Sequence, residues 1–144
     1  MPDFRSNCPL SSALDVIGDK WTLLIVRDMI VHHKSTFMEF ERSDEKIAAS
    51  ILAKRLKWLQ KEGIITKQKM PQNKKTNIYL LTEKGLAFTP VIMELVAWSE
   101  FSLRESHSEM TDYGVATFIL NKPEQTEVIQ NSYRDFANTF DINL

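Results

Sequence analysis

Apolar positions along the chain change period several times, and each change marks an element. After Cys8-Pro9, Leu10, Ala13, Leu14 and Ile17 recur at helical spacing, with Pro9 at the first helical position and Gly18 as the stop. Residues 20–31 read as a second, largely buried helix built on Trp21, Leu24, Ile25 and Ile30. Residues 36–42 predict a short third helix anchored by Phe37 and Phe40, and 43–45 form a polar turn with good capping residues. Residues 47–62 make a long fourth helix, ended by Gly63. At about 100° per residue its two faces separate. Leu52, Leu56 and Leu59 point to a core, while Ser50, Ala53, Lys54, Lys57 and Lys61 lie opposite.

Beyond Gly63 the pattern becomes strand-like over residues 64–70 and again over 77–81, with a polar turn at 71–76 that carries Lys74 and Lys75 at its tip. A hairpin directly after a cationic helix is the wing of a winged helix. Thr82 then caps a long helix over residues 82–105, kinked at Pro90. Phe88, Val91, Ile92, Leu95, Val96, Trp98 and Phe101 exceed what one buried stripe requires, so a partner helix from a second copy is expected. In the last segment Pro123 starts a helix in which Ile129, Tyr133, Phe136 and Phe140 recur at core spacing; residues 115–120 are apolar but of ambiguous type. The expected architecture is α+β, mainly α: a winged helix-turn-helix with long terminal dimerisation helices. Residues 1–105 form the DNA-binding and dimerisation domain, and 106–144 a helical extension packed on it or on the dimer.

Charge sharpens this picture. The whole chain of 144 residues carries −1, yet residues 46–76 hold nine basic side chains against the single acid Glu62, a net +8. The remainder is therefore −9, the asymmetry of a nucleic-acid face on an acidic body. The alternative is a lysine-rich solvated surface. Small residues at the start of the fourth helix (Ala48, Ala49, Ser50) let that end approach a duplex closely.

Together, these motifs resemble the HxlR family of bacterial winged-helix transcription regulators. The resemblance is carried by Cys8-Pro9 with the run from Leu14 to Trp21, by Phe37-Met38-Glu39-Phe40, by Leu52 to Leu59 with Glu62-Gly63-Ile64-Ile65, and by Tyr79 to Gly85 with Pro90-Val91 and Trp98. It covers residues 8–105. It implies a dimeric regulator whose fourth helix enters the major groove of a double-stranded operator and whose wing touches the backbone. By position, Ser50, Lys54 and Lys57 face the groove, and Lys74 and Lys75 are wing contacts. The arginine usual in that family's wing is absent, and residues 74–78 read Lys-Lys-Thr-Asn-Ile. Arg55 lies between the two faces, to contact phosphate or to pair with an acid on its own surface.

Cys8 is the lone cysteine. A thiol at a helix start is activated by the backbone amides and the macrodipole, and the resemblance implies redox or electrophile sensing there; the alternative is an inert helix-start residue. One cysteine fits a reducing cytosol and rules out an internal disulfide framework. Residues 1–7 lack the apolar core of a signal peptide, and the longest purely apolar run, 23–26, is too short to span a membrane. His32 and His33 are adjacent rather than one turn apart and read as helix-end cations or solvated residues, not zinc ligands. No phosphate loop or nucleophile elbow is present, so neither an enzyme nor a cofactor is expected. Trp21, Trp58 and Trp98 read as core, although an aromatic-lined pocket at the dimer junction could hold a small-molecule effector. Two other readings stand beside regulation: a winged helix for protein assembly or RNA contact, and a small thiol enzyme built on Cys8.

Overall fold

A computed structural model describes residues 3–140. The order is α1 (Pro9–Ile17), α2 (Lys20–His32), α3 (Phe37–Glu41), α4 (Ala49–Lys61), β1 (Ile65–Met70), β2 (Asn73–Leu81), α5 (Glu83–Leu86), α6 (Thr89–Leu103), α7 (Val115–Leu120) and α8 (Lys122–Asn138). The architecture is the expected α+β winged helix-turn-helix. Local capping explains several boundaries. Asp19 accepts the Thr22 N–H at 3.1 Å and opens α2. Thr36 and Glu39 form a reciprocal capping box that makes the five-residue α3 stable enough to persist. Gly63 takes the left-handed conformation (φ 72°), and the Ile64 and Gly63 N–H groups return to the carbonyls of Leu59 and Gln60 at 2.9 and 3.1 Å. This Schellman arrangement closes α4 and launches β1.

The core lies where α2, α4 and the hairpin meet. Ile25, Val26, Met29 and Ile30 from α2 pack with Leu52, Leu56 and Leu59 from α4, and with Phe40, Ile64 and Ile65. The Trp58 indole donates to the Val16 carbonyl at 2.8 Å, tying α4 to the end of α1. Gly85 is required by close approach: a Cβ there would run into the Ile64 carbonyl oxygen, so α5 rests directly on the base of β1.

Several expectations change. The long helix is two helices, α5 and α6, broken at Ala87-Phe88 with Pro90 in the first turn of α6. The Glu83–Leu103 stretch spans 21 residues and holds an 18-residue window of mean hydropathy 1.3, a length and composition that a membrane span also meets and that unbroken apolar runs do not register. Ile92, Met93 and Ala97 are buried, so one side of α6 already faces protein. The apolar stripe of α1 is mostly outward: only Ile17 is buried, and Leu10 is 68% exposed. Trp98 is 59% exposed rather than core.

Residues 115–120 are helical, and α8 packs against α2, α6 and α7. Its aromatic stripe explains His33, which is half-buried against α8 rather than a free helix-end residue. His33 closes α2 in a left-handed turn (φ 52°) and stacks on Phe136 with ring centroids 4.8 Å apart; the edge of Tyr133 approaches at 5.9 Å. Burial, with His32 as neighbour, lowers its pKa. The Tyr133 hydroxyl accepts the Leu81 N–H at 2.8 Å and so joins α8 to the base of the hairpin.

Candidate nucleic-acid interface

On α4 the sequence-predicted faces are realised: Leu52, Leu56 and Leu59 are buried, while Ser50, Ala53, Lys54, Lys57 and Lys61 are exposed. The helix starts at Ala49, two residues later than expected, so Ser50 sits in its first turn, just after the exposed Ala48 and Ala49. Among the described residues neither Lys54 nor Lys57 has an acidic partner. Lys61 instead lies over the Trp58 ring, 5.8 Å from its centroid.

Arg55 pairs with Asp19 at 3.3 Å, the same carboxylate that caps α2. Of its two expected roles, pairing on the chain's own surface is the one present here. Both partners are over a third or nearly a third exposed, so the pair contributes little to stability; its effect is to orient the start of α2 against α4.

The wing differs in detail from its expected form. The turn is only Pro71-Gln72, because Met70 pairs with Asn73. The next ladder pair is Lys69 with Asn77, leaving Lys74, Lys75 and Thr76 as an irregular bulge on β2. The Asn73 side chain accepts the Lys75 N–H at 3.2 Å and shapes that bulge. Bulges redirect side chains at strand ends, and here the result is two exposed lysines, Lys74 and Lys75, just past the hairpin tip. Lys67 and Lys69 extend this cationic surface from β1, both exposed, with half-buried Gln68 between them. They were not singled out as candidates from the sequence, although the period-2 alternation of residues 65–70 placed them on one face.

Cys8 is the exposed N-cap of α1; its carbonyl accepts the Ser12 N–H at 2.9 Å, and its own N–H donates to the Ser6 hydroxyl at 3.2 Å. Arg5 pairs with Asp15 at 2.9 Å, which fastens the preceding segment to α1; the Arg5 hydrogen bonds hold the Asp15 carboxyl below its usual range. No group of His, Cys, Asp and Glu suited to a metal ion occurs among the described residues.

Comparison with known proteins agrees with this geometry. The family model for the HxlR-like helix-turn-helix matches residues 16–107, from the end of α1 to just beyond α6. Cys8, α7 and α8 lie outside that match. The transcriptional regulator YodB of Bacillus subtilis is 34% identical over 94 residues, covering 65% of this chain and 83% of YodB. Among solved structures, PA1607 superposes with a TM-score of 0.64 at 34% identity, covering 76% of this chain and 78% of PA1607. The oxidised form of the redox regulator HypR has a TM-score of 0.59 at 30% identity, covering 66% of this chain and 97% of HypR. YodB itself has been solved in reduced, quinone-bound and diamide-treated forms. Of these, YodB is a transcriptional regulator and HypR a redox regulator. With the winged helix, the cationic α4 and the family match in agreement, the chain belongs to the HxlR-like helix-turn-helix family of transcription regulators.

Proposed function

We propose that this regulator binds specific double-stranded DNA as a homodimer in the cytosol, with α4 in the major groove and the wing on the flanking backbone. The observation that carries the reading is the set of exposed cations on two adjoining elements, none with an acidic partner among the described residues: Lys54 and Lys57 on α4, Lys74 and Lys75 on the bulged wing. Phosphate contacts fix register, and base edges discriminate sequence. Ser50 and Lys54, nearest the leading end of α4, are the base readers; Lys57 and the wing lysines hold phosphates. Arg55 acts on DNA only by releasing Asp19.

The dimer uses the outer face of α6. Val91, Leu95, Trp98 and Phe101 form one stripe at helical spacing, and Phe101 is 69% exposed. Burying a large apolar side chain stabilises by roughly 1.5–3 kcal/mol, so a second copy covering this stripe gains several such terms. Two recognition helices then sit one turn of DNA apart, about 34–36 Å, or a multiple of it. The test is capture of bound genomic fragments, followed by affinity measurement on those duplexes. Binding indifferent to sequence and to salt would refute the reading.

Thiol control at Cys8 is a second reading, favoured by its exposure and by the oxidised HypR and diamide-treated YodB forms. With one cysteine per chain, two Cys8 thiols from two copies would lose two protons and two electrons to an oxidant such as diamide and form one disulfide. Diamide should release DNA from the wild type and leave Cys8→Ser bound. Equal release from both proteins would sink this reading.

A further inference from the structure

Residues 111–113 and α8, beyond the family match, line a cavity of about 550 Å³ together with the end of α2 and Met93 of α6. Its floor is aliphatic: Ile30 and Met93 are buried core residues, and Ile129 adds to them from α8. At the mouth stands Val128, a large apolar side chain left exposed. Two aromatic groups guard the rim. The Tyr113 hydroxyl and His32 Nε2 are 3.5 Å apart, at the outer limit of a hydrogen bond, and their rings meet edge to face. A volume in the hundreds of cubic ångströms, a mainly apolar lining and a few convergent polar atoms are the marks of a small-molecule site.

The lining also sets the chemistry. No lysine or arginine stands among its residues, and Asp112 adds a carboxylate to the lining. An anion entering it would be desolvated beside that carboxylate with no lysine or arginine to meet it. We infer that this cavity binds a small, neutral aromatic molecule bearing one hydroxyl or carbonyl oxygen. Its ring lies on Ile30, Met93 and Ile129. Its oxygen replaces the long His32–Tyr113 contact with two shorter hydrogen bonds, using the ability of histidine and tyrosine to donate or accept. Methionine at the floor can adapt to differently shaped rings. The site is distinct from the outer stripe of α6, because Met93 faces inward while Leu95 and Trp98 face out. It is also distinct from the pocket expected at the dimer junction. Its wall, α8, is the helix whose Tyr133 holds Leu81 at the base of the wing.

The experiment is calorimetric titration of the full chain, without DNA, using 2-naphthol as the probe and 2-naphthoate as its anionic counterpart. Because DNA is absent, the outcome is independent of the DNA-binding reading. Saturable binding of 2-naphthol at one site per chain is expected, with 2-naphthoate at least about tenfold weaker. Ser132→Trp fills the cavity from an exposed position and Val128→Asp charges its mouth; each should weaken 2-naphthol about tenfold or more, a loss of about 1.4 kcal/mol. Circular dichroism verifies that both variants are folded. Leu120→Ala, at an exposed position away from the cavity, should leave the affinity unchanged. Absence of saturable binding, equal or tighter binding of naphthoate, or undiminished binding in either folded cavity variant would overturn the inference.

Discussion

The hydroxyl of Tyr133 is a single atom whose removal probes how α8 is joined to the wing. In Tyr133→Phe the ring keeps its place against His33 and Phe136, but the Leu81 N–H loses the acceptor it meets at 2.8 Å. Tyr133 is 1% exposed, so water cannot readily replace the lost oxygen. Leaving a buried donor unsatisfied costs about 1–3 kcal/mol, which lowers the Tm by roughly 4–12 °C for a chain of this size. A second signature lies in pH. Burial pushes the Tyr133 pKa up to about 12 from an ordinary 10, partly offset by the Leu81 hydrogen bond. A raised folded pKa means that the stabilising contribution is complete below pH 10 and is lost as pH climbs towards 12. The loss amounts to about 2–3 kcal/mol over that window. Thermal unfolding at fixed protein concentration should therefore show the variant less stable at pH 8 and the gap narrowing above pH 10. Equal Tm values at pH 8, or parallel losses for both proteins above pH 10, would refute the buried hydrogen bond and the docking of α8.

Three further outcomes follow from other parts of the molecule. Trp98→Asp introduces a charge in the middle of the outer stripe of α6; if that stripe is the proposed dimer interface, light scattering should read a dimeric wild type and a folded monomeric variant, and equal masses would contradict the proposed interface. For His33, burial lowers the folded pKa below 6.5, so its contribution is complete above pH 6.5 and is lost as pH falls through the folded value. His33 faces Tyr133 and Phe136 of α8 and its neighbour His32. His33→Phe should flatten the acid side of the stability profile, and an unaltered acid limb would contradict this. Diamide should spare the DNA complex of Cys8→Ser, as set out above.

How far the sequence discloses the molecule depends on how far apart the interacting residues lie. The two faces of α4 and the stop at Gly63 follow from residues within a few positions of one another, and they match the structure. The hairpin was readable from the change of period, but its turn was placed too broadly: the Met70–Asn73 pairing and the bulge at residues 74–76 depend on cross-strand register. His33 was misread because its stacking partner, Phe136, lies about a hundred residues further on. The Arg55–Asp19 pair joins two elements far apart in sequence and is visible only in the fold. The outward stripe of α1 and the exposed Trp98 share a different cause. Their periodicity announces a buried face, but nothing local says whether the covering surface belongs to the same chain. Lys67 and Lys69 were within reach of simple alternation once β1 was recognised.

DNA binding through α4 and the wing is best tested by the salt dependence of affinity for a captured genomic duplex, compared with Lys54→Ala, Lys57→Ala, Lys74→Ala and Lys75→Ala. Each phosphate contact contributes about −0.9 to the slope of log K against log salt. A dimer losing one contact per chain should thus become shallower by about 1.8. The account predicts a steep wild-type slope that flattens by that step for Lys57, Lys74 and Lys75, while Lys54→Ala chiefly erodes discrimination between the captured duplex and a scrambled one. A wild-type slope near zero, or four variants indistinguishable from wild type, would contradict it.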